Sequence, residues 1–175
     1  MTQQEKHLEI SRAIDQHLGT DSFCTVSLTA GNKYQDWYAT LLSSIALLAA
    51  NEQVLFAYSD IESSTTEFRI IVFTTNLVLV ANVDPQLDGI PLISAIRRKS
   101  LIGMQLSTSE RIDARERRSH EWPGTINLVL TYSDLPDRIE IAAGGADPYN
   151  IKEPSPIVKL IEGLSSDLAN GRLTV

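Results

Sequence analysis

Phe68–Asp84, FRIIVFTTNLVLVANVD, is the stretch on which the fold turns. Phe68, Ile70 and Val72 lie on one side, and Leu77, Leu79, Ala81 and Val83 continue the alternation beyond Thr75-Asn76. A period of two belongs to a strand with a buried face, because successive side chains point to opposite sides of the pleat. Asn tolerates positive φ, so Thr75-Asn76 closes the two runs into a hairpin. Upstream, Val54–Tyr58 puts Val54, Phe56 and Tyr58 on one face. Downstream, Pro85, Asp88, Gly89 and Pro91 break the chain before a fourth strand, Leu92–Arg97. A fifth strand carries Ile102, Met104 and Leu106 on one side. Ser107–Glu121 has no regular apolar face and reads as a long polar excursion, with Trp122-Pro123-Gly124 marking its return. Ile126, Leu128, Leu130 and Tyr132 form the sixth strand. Asp134, Pro136 and Asp137 turn it into the seventh, with Ile139 and Ile141 inward and Arg138 and Glu140 outward.

Around this series the period is helical. Gln3–Leu18 puts Ile10, Ile14 and Leu18 on one stripe and has Gly19 at the stop. A short strand, Phe23–Leu28, ends at the turn signal Ala30-Gly31-Asn32. In Tyr34–Ala50, Trp37, Tyr38, Leu41, Leu42, Ile45, Leu48 and Ala49 recur at spacings of three and four, which predicts one buried helix face. The last helix, Ser155–Asn170, is the best marked. Ser155 suits the N-cap and Pro156 the first helical position, where its missing N–H costs nothing. Ile157, Leu160, Ile161, Leu164 and Leu168 make its apolar stripe, and Gly171 its stop. Gly163 lies between Leu160 and Leu164, which predicts a close approach to a strand.

Composition narrows the class. The 175 residues are 43% hydrophobic, enough for a real core, and carry a net charge of −7 with a pI near 4.9. That sign disfavours non-specific binding to nucleic acid. The single cysteine, Cys24, excludes an intramolecular disulfide and a multi-cysteine zinc site. The first residues, MTQQEKHLEI, do not form a secretory signal. Ala39–Ala50 is the most apolar run and is well short of the ~20 residues a membrane span needs. A soluble, cytoplasmic protein without stable membrane insertion is expected.

The chain resembles the pleckstrin-homology-like superfold, and within it the bacterial PH-like domains. The resemblance rests on NEQVLFAYSD (51–60), the hairpin FRIIVFTTNLVLVANVD, the Pro-led strand IPLISAI (90–96) and the capped last helix. It implies an α+β fold, with a seven-stranded antiparallel barrel of two orthogonal sheets capped by the C-terminal helix. Residues 51–175 form that domain, and residues 1–50 a helical extension packed on it. In lipid-binding members it also implies basic residues around the first hairpin loop that grip inositol phosphates. Here that loop, Ser59–Thr66, reads SDIESSTT and offers Asp60 and Glu62, with only Arg69 beyond. Carboxylates repel a phosphorylated headgroup, so phosphoinositide binding does not carry over. The hallmark tryptophan of eukaryotic members is missing from the last helix.

No catalytic, cofactor or metal residue is identified. His7, His17 and His120 form no pair at helical spacing and are read as surface residues. There is no nucleophile elbow, Walker loop or dinucleotide fingerprint. Gly144-Gly145 before Asp147-Pro148 reads as a turn, and Glu110 with Asp113 as exposed charge. One asymmetry points to binding. Arg97, Arg98, Lys99, Arg111, Arg115, Arg117 and Arg118 face only Glu110, Asp113 and Glu116, leaving +4 here and −11 elsewhere. A basic segment on an acidic protein suits an acidic partner, an anionic membrane, RNA or the acidic part of a second copy. The bland alternative is a solvated loop in which Asp113 pairs with Arg117. Interleaved aromatics for stacking nucleic-acid bases are absent.

The leading expectation is a non-catalytic PH-like module for protein–protein interaction or scaffolding, with an unknown protein or a second copy as partner and a peptide paired with an open sheet edge as the mode of contact. One alternative is a small-ligand-binding barrel or flavin-type split-barrel enzyme, because SFCTVSLTAGN (22–32) after a helix is similar to the opening of such proteins. A second is a peripheral binder of anionic membranes through residues 97–118.

Overall fold

A computed structural model describes residues 2–19, 29–30, 33–34, 36–49, 52–60, 68–83, 90–109, 124–144 and 155–171. The chain divides into two compact units, Met1–Ile96 and Arg97–Val175. Among the described residues, no helix is long and apolar enough to cross a membrane.

The first unit begins with α1, Gln3–Gly19. A capping box holds its start: Thr2 N–H donates to Glu5 Oε2 at 2.6 Å, and Glu5 N–H to Thr2 Oγ1 at 3.3 Å. A short pair, β1 (Thr29–Ala30) and β2 (Lys33–Tyr34), sets Ala30 opposite Lys33. The turn residues 31–32, the expected strand 23–28 and Cys24 lie outside the described residues. Helix α2, Asp36–Ala49, follows. It buries Tyr38, Leu41, Leu42, Ile45, Ala46 and Ala49 in one cluster with Ile10, Ile14 and Leu18 of α1. The buried Tyr38 hydroxyl donates to Asp15 Oδ1 at 3.0 Å, tying the helices together. Leu48, expected on the buried face, is 45% exposed. The buried stripe runs through positions 38, 41, 42, 45, 46 and 49, so Ala46 occupies the face assigned to Leu48.

The same cluster takes in one face of a four-stranded antiparallel sheet ordered β3-β4-β5-β6. Its strands are Val54–Asp60, Phe68–Thr74, Leu77–Val83 and Leu92–Arg97. The hairpin is in the expected register, with Ile70 opposite Ala81 and Val72 opposite Leu79. Ile70, Val72, Leu79, Ala81 and Val83 are all buried against the helices. The other face is buried as well, through Phe56, Ile71, Phe73, Val78 and Val80. Val54 does not share a face with Phe56 and Tyr58 as expected. A register shift between Val54 and Phe56 inserts one residue, so Val54 packs with the helix cluster while Phe56 lies opposite Phe73.

Glu52 locks the hairpin turn to the end of α2. Its carboxylate accepts Asn76 N–H at 2.8 Å and Asn76 Nδ2 at 3.0 Å, while its own N–H donates to the Ala49 carbonyl at 2.6 Å. Trp37 stacks on Phe68 with ring centroids 5.0 Å apart. His7 and His17 are half-buried rather than on the surface. His17 sits edge-on to Phe56 at 6.2 Å, and burial holds its pKa below the usual imidazole range. His120 lies outside the described residues.

The second unit holds a three-stranded antiparallel sheet, β7-β8-β9, and the last helix, α3. The strands are Leu101–Thr108, Thr125–Tyr132 and Ile139–Gly144, and α3 is Pro156–Gly171. A single 3₁₀ turn, Arg98–Ser100, leads into β7. Ile126, Leu128, Leu130, Tyr132, Ile139 and Ile141 are buried as the alternation predicts. Gly124 takes φ 68°, a left-handed conformation that suits glycine, at the return into β8. The face expected for β7 is corrected by a second register shift, between Leu101 and Gly103. Leu101 lies inward opposite Tyr132, the extra residue Ile102 is 60% exposed, and Met104 and Leu106 resume the inward side opposite Leu130 and Leu128.

Helix α3 packs on β7 and the 3₁₀ turn, burying Ile157, Leu160 and Leu164, while Ile161 and Leu168 are half-buried. Its Asp167 accepts from Arg98 Nε at 2.5 Å, with the two side chains only 10% and 14% exposed. Burial pushes the Tyr132 phenol far above its usual range; the nearby Arg98 cation opposes this and Asp167 adds to it. The two expected sheets are therefore ladders of four and three strands, and no strand pairing joins them among the described residues. A closed barrel is not observed.

Gly163 makes no close approach: a Cβ built there meets no atom within 4 Å. Glycine is then only a weak helix former, and Gly163→Ala is expected to raise stability by about 1 kcal/mol in denaturant unfolding. A loss of stability would show a hidden contact. For the ion pair, Asp167→Ala is expected to cost about 3 kcal/mol by stranding a desolvated guanidinium, and Arg98→Met with Asp167→Leu to recover most of it. A single-mutant loss below about 0.5 kcal/mol would place the pair in solvent.

Candidate functional site

Sheets end in edges, and an edge strand presents unpaired N–H and C=O groups to any extended chain. The two larger sheets have four edges among the described residues: β3, β6, β7 and β9. Natural edges are commonly blunted by charge or proline. Strand β3 carries Asp60, β6 follows Pro91 and ends in Arg97, and β9 carries Glu140. Strand β7, LIGMQLST, is the longest of the four at eight residues and has neither a charge nor a proline.

The register shows which backbone groups of β7 face outward. Ser109 N–H donates to the Thr125 carbonyl at 2.9 Å, so residue 109 points its amide at β8. In an antiparallel ladder this orientation alternates, so Ser107, Gln105 and Gly103 also face β8. Met104 and Leu106 therefore turn their N–H and C=O away from the sheet. Their side chains lie on the core side, yet Leu106 is 48% exposed while its cross-strand partner Leu128 is fully buried. The core side of the sheet is left incompletely covered at this edge. A further strand seated there would gain backbone hydrogen bonds and cover Leu106 together.

The basic residues singled out in the sequence fall unevenly. Arg97 and Lys99 are exposed and adjoin the start of β7, whereas Arg98 is drawn into the pair with Asp167. Arg111, Arg115, Arg117 and Arg118 lie outside the described residues, as do Glu110, Asp113 and Glu116. Arg69 is half-buried on β4, with Nε enclosed and without a hydrogen-bond partner. Most of the first hairpin loop, residues 61–67, is outside the described residues. Among the described residues, no group of three or more His, Cys, Asp or Glu is placed to hold a metal ion.

Sequence reasoning expected an open sheet edge without identifying it as β7, and missed the role of Asp167. The absence of charge in LIGMQLST was a readable signal, but it acquires meaning only once strand order makes β7 an edge. Nothing in sequence links Arg98 to a carboxylate 69 positions away.

No protein-family model and no curated protein matches the chain. The chain is similar to two solved bacterial structures. A DUF1696 family protein with a pleckstrin-homology domain from Shewanella loihica PV-4 gives a TM-score of 0.43 at 16% identity, over 71% of this chain and 91% of that one. A pleckstrin homology domain from Shewanella amazonensis SB2B gives 0.40 at 13% identity, over 72% of this chain and 96% of that one.

Proposed function

We propose that this chain is a non-catalytic PH-like interaction module that holds a protein partner by adding a strand to β7. The observation that carries the reading is an uncharged edge that no strand pairs among the described residues, with the backbone groups of Met104 and Leu106 facing outward. Main-chain hydrogen bonds supply affinity in this mode, and side chains on alternate positions supply specificity. The capped barrel is part of the same proposal. What supports it is the order of elements: four antiparallel strands, then three, then a terminal helix. The basic residues from Arg97 to Arg118, apart from the Arg98 held by Asp167, are proposed to contribute to the same binding role, with charge setting orientation and encounter rate.

A pair of proline substitutions tests the edge. Leu106→Pro removes an amide that the β7–β8 ladder does not use, whereas Gln105→Pro removes one that it does. Gln105→Pro is expected to lower stability clearly more than Leu106→Pro, which should retain a cooperative melt. Folded Leu106→Pro should then fail to retain a partner that the immobilised wild-type protein captures. Equal retention by both proteins would rule out strand addition at β7.

A further inference from the structure

We infer that the strand received by β7 is an extended acidic segment of another protein, alternating apolar and carboxylate side chains, and not a second copy of this chain. This rests on the strand-addition reading and names its ligand class. In antiparallel pairing, residues directly opposite one another share a face. A residue set opposite Met104 or Leu106 therefore lies on the core side, beside a half-exposed Leu106, and is favoured when apolar. Its sequence neighbours fall on the side of Gln105 and Ser107, which is exposed and polar. Apolar residues are thus called for at every second position, with polar or charged residues between them.

The sign of that charge comes from the start of the strand. Arg97 and Lys99 are exposed there, while Arg98 is already neutralised by Asp167. No acidic residue lies in β7 or in the 3₁₀ turn before it. An arriving carboxylate meets two exposed cations, and neither β7 nor the turn before it supplies a competing acid. A second copy pairing β7 with β7 would instead bring to those cations a strand that carries no carboxylate of its own.

The test uses the full chain and a short fluorescein-labelled peptide of alternating glutamate and valine, read by anisotropy across a salt series. Binding is expected at low salt and is expected to weaken as salt rises. The same peptide N-methylated at its valines, which sit opposite Met104 and Leu106, is expected to lose binding. A lysine–valine peptide, and the Arg97→Glu/Lys99→Glu protein with the original peptide, are each expected to bind about tenfold more weakly. The peptide variants need no altered protein, so folding does not confound them. If the glutamate and lysine peptides bind equally, the acidic class is wrong while strand addition stands. If N-methylation changes nothing, strand addition itself fails. If no peptide binds, or the wild-type chain forms a dimer that Leu106→Pro abolishes, the foreign acidic strand is overturned.

Discussion

The bulge at Ile102 decides which way β7 points, and the binding account depends on that direction. Side chains in a strand alternate with a period of two, so one inserted residue exchanges the faces of everything beyond it. Leu101 reaches inward opposite Tyr132 before the shift, and Met104 and Leu106 reach inward after it, leaving Ile102 in solvent. The same register sets the backbone. With Ser109 bonded to Thr125, the amides of residues 103, 105 and 107 face β8, and those of Met104 and Leu106 face outward. Side-chain burial and backbone availability are therefore two consequences of one local shift.

The two units solve the problem of sheet surface differently. In the first, helices α1 and α2 cover one face of the four-stranded sheet, and the other face is buried as well. The Glu52 carboxylate joins the end of α2 to the turn at Asn76, so a helix end and a hairpin tip are set by the same side chain. In the second, α3 lies on β7 and the 3₁₀ turn, and a mostly buried ion pair joins Arg98 to Asp167. That pair takes one of three consecutive basic residues out of solvent. The cations left exposed at the start of β7 are therefore Arg97 and Lys99, and the edge beside them has no charge of its own.

Much of the fold was legible because period-two runs and helix stops are local signals. The hairpin from Phe68 to Val83 and the strands carrying Leu128 and Ile139 follow the expected alternation. The bulges were not legible, since an extra Leu55 or Ile102 looks like any other strand residue until the partner strand is known. Gly163 was misread for a related reason: sequence places it beside buried leucines but cannot show that the space over it is open. Two signals were available and unread. Thr2-x-x-Glu5 is a capping box, and the unbroken run Ile70–Phe73 marks a strand buried on both faces. His17 was misplaced because it meets Phe56, a contact between a helix and a strand far apart in sequence.

Residue-resolved amide hydrogen exchange in the isolated protein tests the openness of this edge most directly. Ladder amides are protected by their bonds, whereas outward edge amides meet solvent. The account predicts fast exchange at Met104 and Leu106, and slow exchange at Gly103, Gln105 and Ser107. Uniform protection along β7 would contradict it, because the edge would already be covered and no strand could be added there.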